Sequence, residues 1–266
     1  MLDHGLGCIC SPTDVRDYKL ARSSVSSVEL PESFECEKRS RVKDQRSVGS
    51  CVAHAASSIL EYHYSPNNRL STNFIYGIHY KLFGSEGPGV NLREACKIIS
   101  KYGDPELKYC PGNTEVEKVY DLAEECFDNP EAMENASKYK IDNYVKLLSD
   151  KDIKYSIFNY GPVLAAIEWF DYNDCDFKGK LIKNGISEGY HAIIIYGWNK
   201  DGWLCQNSWG ITWGKAGYFI LPYDYKIRES YSFVPSSSFE ELEVPKRNSF
   251  LDVFYKIINW ILNFWG

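Results

Sequence analysis

The chain has 266 residues, is 44% hydrophobic, and carries 30 Lys and Arg against 36 Asp and Glu, a formal net charge of -6. That is enough apolar material for a full core, in one large domain or in two lobes sharing a cleft. With no run of five Lys or Arg it lacks the basic footprint of a nucleic-acid binder.

Taken in chain order, the first stretch, MLDHGLGCICSPTDVRDY, lacks a basic start followed by an apolar run, so no secretory signal is expected and the expected location is cytoplasmic. Nine cysteines, an odd number without a C-x-x-C pair, read as reduced thiols rather than a disulfide framework. Cys8-Ile9-Cys10 near His4 falls short of the spacing of a structural zinc site, so this segment is expected to pack and no metal is assigned. Residues 1–30 form an N-terminal extension that either packs on the outside or covers a cleft.

After Cys51, the positions Val52, Ala55, Ala56, Ile59, Leu60 and His63 recur at helical spacing, which places Cys51 in the first turn of a buried helix. Ser71 is a candidate cap for a second helix with Phe74, Ile75, Ile78 and Leu82. Asn91 is one for a third, with Leu92, Ala95, Ile98 and Ile99, ending before Gly103. Residues 31–142 are therefore expected to make a mainly helical lobe. From 143 to 235 the runs VLAAIEW, HAIIIYGW, GWLCQNSWG and GYFIL, divided by Gly and Pro, read as buried antiparallel strands. The fold class is α+β, with a site expected between the lobes. The sequon Asn135-Ala136-Ser137 matters only in a secretory route. Residues 236–266 read as a serine linker, Ser236 to Ser238, and an amphipathic helix whose polar stripe is Asp252, Lys256, Asn259 and Asn263. That helix is too short to span a bilayer. It docks on its own domain, on a second copy, or in the plane of a membrane surface.

Four residues combine into chemistry. Cys51 follows Gly49-Ser50 at a helix N-terminus, where unpaired N–H groups and the dipole favour a thiolate. His191, 140 residues downstream at the start of a strand, can accept its proton. Asn207, on the next strand, can orient the imidazole across a hairpin. Gln45, six residues before Cys51, can donate to an oxyanion formed when the thiolate attacks a carbonyl.

In the motifs QRSVGSC, HA on a strand, and NSWGITWGKAGY from Asn207 to Tyr218, the sequence resembles the papain family of cysteine peptidases over about residues 12–235. PTDVRDY from Pro12 and YGDPELKY from Tyr102 are similar to segments of its prokaryotic and viral branch. The resemblance implies a two-lobed papain fold and a cysteine endopeptidase in which Cys51 attacks, His191 shuttles the proton and Asn207 holds the ring. Gln45 and the Cys51 N–H would stabilise the oxyanion, and Trp209 would shield the Asn207–His191 bond and line the substrate side of the cleft. It implies no cofactor, no long inhibitory propeptide, and a peptide or protein as partner. A second specificity pocket is implied near Ala166 and Gly189, roomy and suited to an apolar side chain, with a floor near Tyr223 to Tyr225. Gly89, in the Gly87-Pro88-Gly89 turn, would offer backbone hydrogen bonds to an extended peptide.

Three departures stand out: Val48 where secreted relatives carry a disulfide cysteine, Val52 after the nucleophile, and Arg46 in place of a glycine. Three rival readings stay open. The same thioester could serve a transpeptidase or ligase. The chain could be a non-catalytic module docking through its C-terminal helix. An exopeptidase would need one end of the cleft blocked.

Overall fold

The computed structural model describes residues 4–64, 69–84, 89–112, 116–171, 174–235 and 242–243. The serine run and the helix expected from Phe250 lie outside the described residues. The elements of the first half are β1 (Cys8–Ile9), β2 (Lys19–Leu20), α1 (Arg22–Ser27), β3 (Phe34–Glu35), α2 (Cys51–Tyr64), α3 (Thr72–Phe83), β4 (Val90–Asn91), α4 (Leu92–Lys101), α5 (Val116–Asp128) and α6 (Pro130–Ala136). The second half has β5 (Asn143–Lys146), α7 (Asp150–Tyr160), β6 (Val163–Phe170), β7 (Asp174–Cys175), β8 (Leu181–Ile182), β9 (Ser187–Asn199), β10 (Gly202–Gln206), β11 (Tyr218–Leu221), β12 (Ile227–Val234) and β13 (Leu242–Glu243).

An antiparallel sheet in the order β11-β10-β9-β6-β12-β5 forms the centre of the molecule. Val163, Ala165, Ile167 and Trp169 of β6 join Ile193 and Ile195 of β9 in one buried cluster with residues of α7. Leu164 and Ala166 join Ala192 and Ile194 in a second cluster with α2, α3 and α4. Alternate residues of a strand face opposite sides of its sheet. The unbroken apolar runs VLAAI and AIII are therefore what strands covered on both faces require. Val52, Ala53, Ala56 and Leu60 of α2 are fully buried. The alanines let the helix lie close on β9, and burying Leu60 or Val52 contributes roughly 1.5–3 kcal/mol each.

The expected helix starts are those observed. Ser71 Oγ accepts from Phe74 N at 3.2 Å and Asn91 Oδ1 from Glu94 N at 2.9 Å. The strand-rich half also contains α7, capped by Ser149 Oγ on Asp152 N at 3.2 Å, a helix that the strand pattern did not reveal. Asn135 of the sequon is buried and accepts from Glu106 N at 2.8 Å, so its amide is committed to the fold.

Two short motifs stitch the helical lobe together. Arg93 of α4 grips Asp17 of PTDVRDY with Nε on Oδ1 at 2.7 Å and Nη2 on Oδ2 at 2.6 Å, and donates Nη1 to Pro12 O at 2.6 Å. Both side chains are buried, so removing either would leave a costly lone charge. In YGDPELKY, Pro105 O accepts from Ser71 N at 2.8 Å and Glu106 Oε1 from Tyr139 Oη at 2.7 Å. Asp104 is fully buried with neither carboxylate oxygen hydrogen-bonded, facing Lys43, Ser57 and Glu61.

Burial pushes the Asp104 carboxyl well above the usual range, with Lys43 opposing. Its folded pKa thus exceeds its unfolded value, so the folded state holds an extra proton and loses stability as pH rises between the two. Asp104→Asn removes this term. Urea denaturation at pH 4.5 to 7.5 is expected to show the variant gaining on the wild type as pH rises. Parallel stability curves would overturn the assignment.

Candidate active site

Cys51 opens α2 and is fully buried. Its own N–H belongs to the first turn, whose donors have no acceptor within the helix. Burial raises the pKa of the thiol, against backbone N–H groups of Ala192, Gly7, Val52 and Cys51 itself that point at the sulfur.

His191 lies in β9, and the β9–β10 hairpin brings Asn207, the residue after β10, beside it. His191 Nε2 is 2.7 Å from Asn207 Oδ1. The backbone N–H of Ser208 donates to the same oxygen at 2.7 Å, which fixes the amide orientation. Oδ1 accepts only, so Nε2 carries the proton and Nδ1 the lone pair. Nδ1 is buried and has no hydrogen-bond partner, and no hydrogen bond joins the ring to Cys51 among the described residues. Burial pushes His191 down to about 4, with Asn207 opposing and His4 adding to the shift. Trp209 covers the ring at 4.6 Å between centroids and Trp169 meets it edge-on at 5.2 Å.

Gln45 is buried and held at both ends of its amide. Ser208 Oγ donates to Oε1 at 2.6 Å, while Nε2 donates to Gly5 O at 2.6 Å and to Val48 O at 2.8 Å. Ser208 thereby ties Gln45 to Asn207, a link that sequence reasoning missed although Ser208 lies inside the quoted motif. Trp169 was missed as well, since in VLAAIEW it reads as one more core residue. Arg46, which replaces a glycine by resemblance, has φ 53°, so the backbone keeps the left-handed shape that glycine favours. Its N–H donates to Asp44 Oδ1 at 2.9 Å.

The N-terminal extension divides between the two expectations: residues 4–11 run between the lobes over the head of α2, while Leu20 and Val25 pack into the core cluster that includes α7. His4 stacks on Trp209 at 4.6 Å with an interplanar angle of 7°. Gly5 N donates to Arg46 O at 3.1 Å, and Gly7 O accepts from Val90 N at 2.9 Å. Cys8 pairs in parallel with Val90 and antiparallel with Tyr190. Ser11 donates its N–H to Glu229 Oε1 at 3.0 Å and its hydroxyl at 3.2 Å. Residues 4–11 therefore strap the cleft along its length instead of blocking one end.

The strap meets the residues expected to bind substrate. A Cβ on Gly89 would sit 2.9 Å from Gly7 O, so only a glycine admits the strap this closely. Gly87 and Pro88 lie outside the described residues. Gly189, opposite Trp169, faces open space, and Trp209 holds His4. Ala166 is fully buried, between Ala192 on β9 and Glu229 on β12. The expected pocket floor at Tyr223 to Tyr225 needs correction. Tyr223 Oη donates to Asn199 O at 2.7 Å and Tyr225 Oη to Glu168 O at 2.6 Å, whereas the neighbour of Ala166 is Glu229.

A family model described as papain family cysteine protease matches residues 30–233. A cysteine protease of Blomia tropicalis is 28% identical over 213 residues, 71% of this chain and 60% of that protein. An uncharacterized peptidase C1-like protein of Acanthamoeba polyphaga mimivirus is 30% identical over 212 residues, 70% of this chain and 66% of that protein. The chain thus spans less than two thirds of either relative. The fold is similar to that of xylellain, a cysteine protease from Xylella fastidiosa, with a TM-score of 0.73, 22% identity, and coverage of 88% of this chain and 97% of that one. The mimivirus protein is a viral relative, in line with the branch suggested by PTDVRDY and YGDPELKY.

Proposed function

The chain belongs to the papain family of cysteine proteases, and on that premise we propose that it is a peptidase acting through Cys51, His191, Asn207 and Gln45, held latent by its own residues 4–11. The observation that carries this reading is the hydrogen bond from Gln45 Nε2 to Gly5 O, 2.6 Å, at the head of α2. The cleft already grips a peptide carbonyl where a developing oxyanion would sit.

With the strap gone, His191 Nδ1 takes the proton of the Cys51 thiol, and the thiolate attacks a peptide carbonyl carbon. The oxyanion rests on Gln45 Nε2 and the Cys51 N–H. The imidazolium returns its proton to the leaving amine, giving a thioester that water, deprotonated by the same nitrogen, hydrolyses to a free acid. Asn207 keeps Nε2 protonated and so leaves Nδ1 as the basic nitrogen. The strap is non-productive, because the thiol meets the Gly7 N–H and not a carbonyl carbon.

Labelling with an epoxysuccinyl peptide tests the reading among nine thiols. One adduct is expected, at Cys51, absent from Cys51→Ala and formed faster once the strap is displaced. A folded, strap-displaced protein that takes no adduct would refute it.

A further inference from the structure

Apart from Cys51, the free thiols have no part in the mechanism. Two of them meet: the side chains of Cys110 and Cys126 are hydrogen-bonded to each other, the one thiol–thiol hydrogen bond among the described residues. They come from separate elements. Cys110 closes the segment YGDPELKYC, its N–H 3.4 Å from Glu106 O, and Cys126 lies in the last turn of α5. Both belong to a small apolar cluster with Phe74, Ile78, Ile98 and Ala132. Their surroundings differ. Cys110 is fully buried, with the Ser71 side chain also bonded to it, while Cys126 is 5% exposed and points its sulfur at Tyr109 O, 3.4 Å away. The hydrogen bond from Cys110 holds the Cys126 thiol below its ordinary pKa, against burial and Glu125, and raises that of Cys110.

We propose that Cys110 and Cys126 form a redox pair, in which a peroxide oxidises Cys126 and Cys110 resolves it to a disulfide that staples the 104–112 loop to α5. The Cys126 thiolate breaks the peroxide O–O bond, releasing water once protonated, and becomes a sulfenic acid. The Cys110 sulfur, already against it, attacks that sulfur. The S–S bond forms, the S–O bond breaks, and the oxygen leaves as water with the Cys110 proton. Two thiols and one peroxide thus give one disulfide and two waters, and a dithiol reverses the step by exchange. A surface-facing thiol with a lowered pKa beside a buried resolving thiol is the arrangement this chemistry needs. The stapled loop reaches the site. Asn73 Nδ2 donates to Pro111 O at 2.9 Å, and Gly112 lines a cavity of about 350 Å³ with Asp44, Gln45, Ser50 and His54. The disulfide therefore stiffens one wall of the cavity beside Gln45 without using Cys51.

Full-length protein carrying Cys51→Ala, which removes the catalytic thiol, is treated with hydrogen peroxide, alkylated with iodoacetamide in denaturant and digested without reduction. A peptide pair joined through Cys110 and Cys126 is expected. Before denaturation the oxidised protein is expected to melt at least about 5 °C higher, the size of effect for a disulfide closing a loop of about 16 residues. Dithiothreitol returns both readings to those of the untreated protein. Cys110→Ala removes the link and the Tm shift; Cys126→Ala serves if that variant misfolds. Alkylation of both thiols after peroxide, a Cys126 sulfinic acid in place of the link, a link that leaves Tm unchanged, or a Tm shift that survives both variants overturns the proposal. Read in Cys51→Ala, the result stands apart from the peptidase reading.

Discussion

Gly7→Val raises the rate of Cys51 alkylation by about 100-fold over wild type, the equivalent of about 2.8 kcal/mol of lost strap docking. A Cβ on Gly7 would lie 1.6 Å from Gly49 O and 2.2 Å from Gly49 C, both backbone atoms next to Ser50 and Cys51. Nothing there can move without unwinding the entrance to α2, so the side chain must expel the strap. Gly5 is nearly as tight, with a Cβ 2.4 Å from Ser47 O, and Gly5→Val is expected to act in the same direction. Gly112, whose Cβ meets nothing within 4 Å, is the control, and Gly112→Val leaves the rate unchanged. The fold survives release because the buried Arg93–Asp17 pair anchors the chain just beyond the strap. Equal alkylation rates in Gly7→Val and wild type would mean that the strap is no barrier.

Local signals carried much of this into the sequence. Ser71 and Asn91 mark helix starts because a cap needs only its own hydrogen bond to a backbone N–H three residues on. VLAAI and AIII mark doubly buried strands because burial is written residue by residue. The Cys51, His191, Asn207 and Gln45 set was legible through motif order, and the structure brings Gln45, Asn207 and His191 into one hydrogen-bonded chain through Ser208. What stayed hidden depends on partners far along the chain. Gly5 and Gly7 look like any loop glycines until Ser47 and Gly49 lie against them. Glu229 looks like a solvated acid in IRESYSFV until β12 pairs with β6 and Ser11 arrives 218 positions away. α7 was missed because Tyr155, Ile157 and Tyr160 are as typical of strands as of helices, and tertiary packing decided between them.

In the Gly7→Val background, His191→Ala lowers turnover about 10³- to 10⁴-fold, the range of a positioned general base and acid, and Gln45→Ala about 10²- to 10³-fold, the range of one oxyanion donor. The two losses arise differently, and their pH profiles separate them. Without His191, alkylation must wait for a thiol that burial holds above its ordinary pKa to ionise unaided, so its rate climbs about tenfold per pH unit through the neutral range. Gln45→Ala keeps the thiol–imidazole pair, so alkylation retains the parent profile while peptide turnover falls. The double variant loses less than the product of the two, because an oxyanion that is not generated cannot be stabilised. An unchanged pH profile in His191→Ala would show that His191 is packed against Trp169 and Trp209 for the core alone. The lone pair on Nδ1, left without a partner by the bond from Nε2 to Asn207, argues for the base.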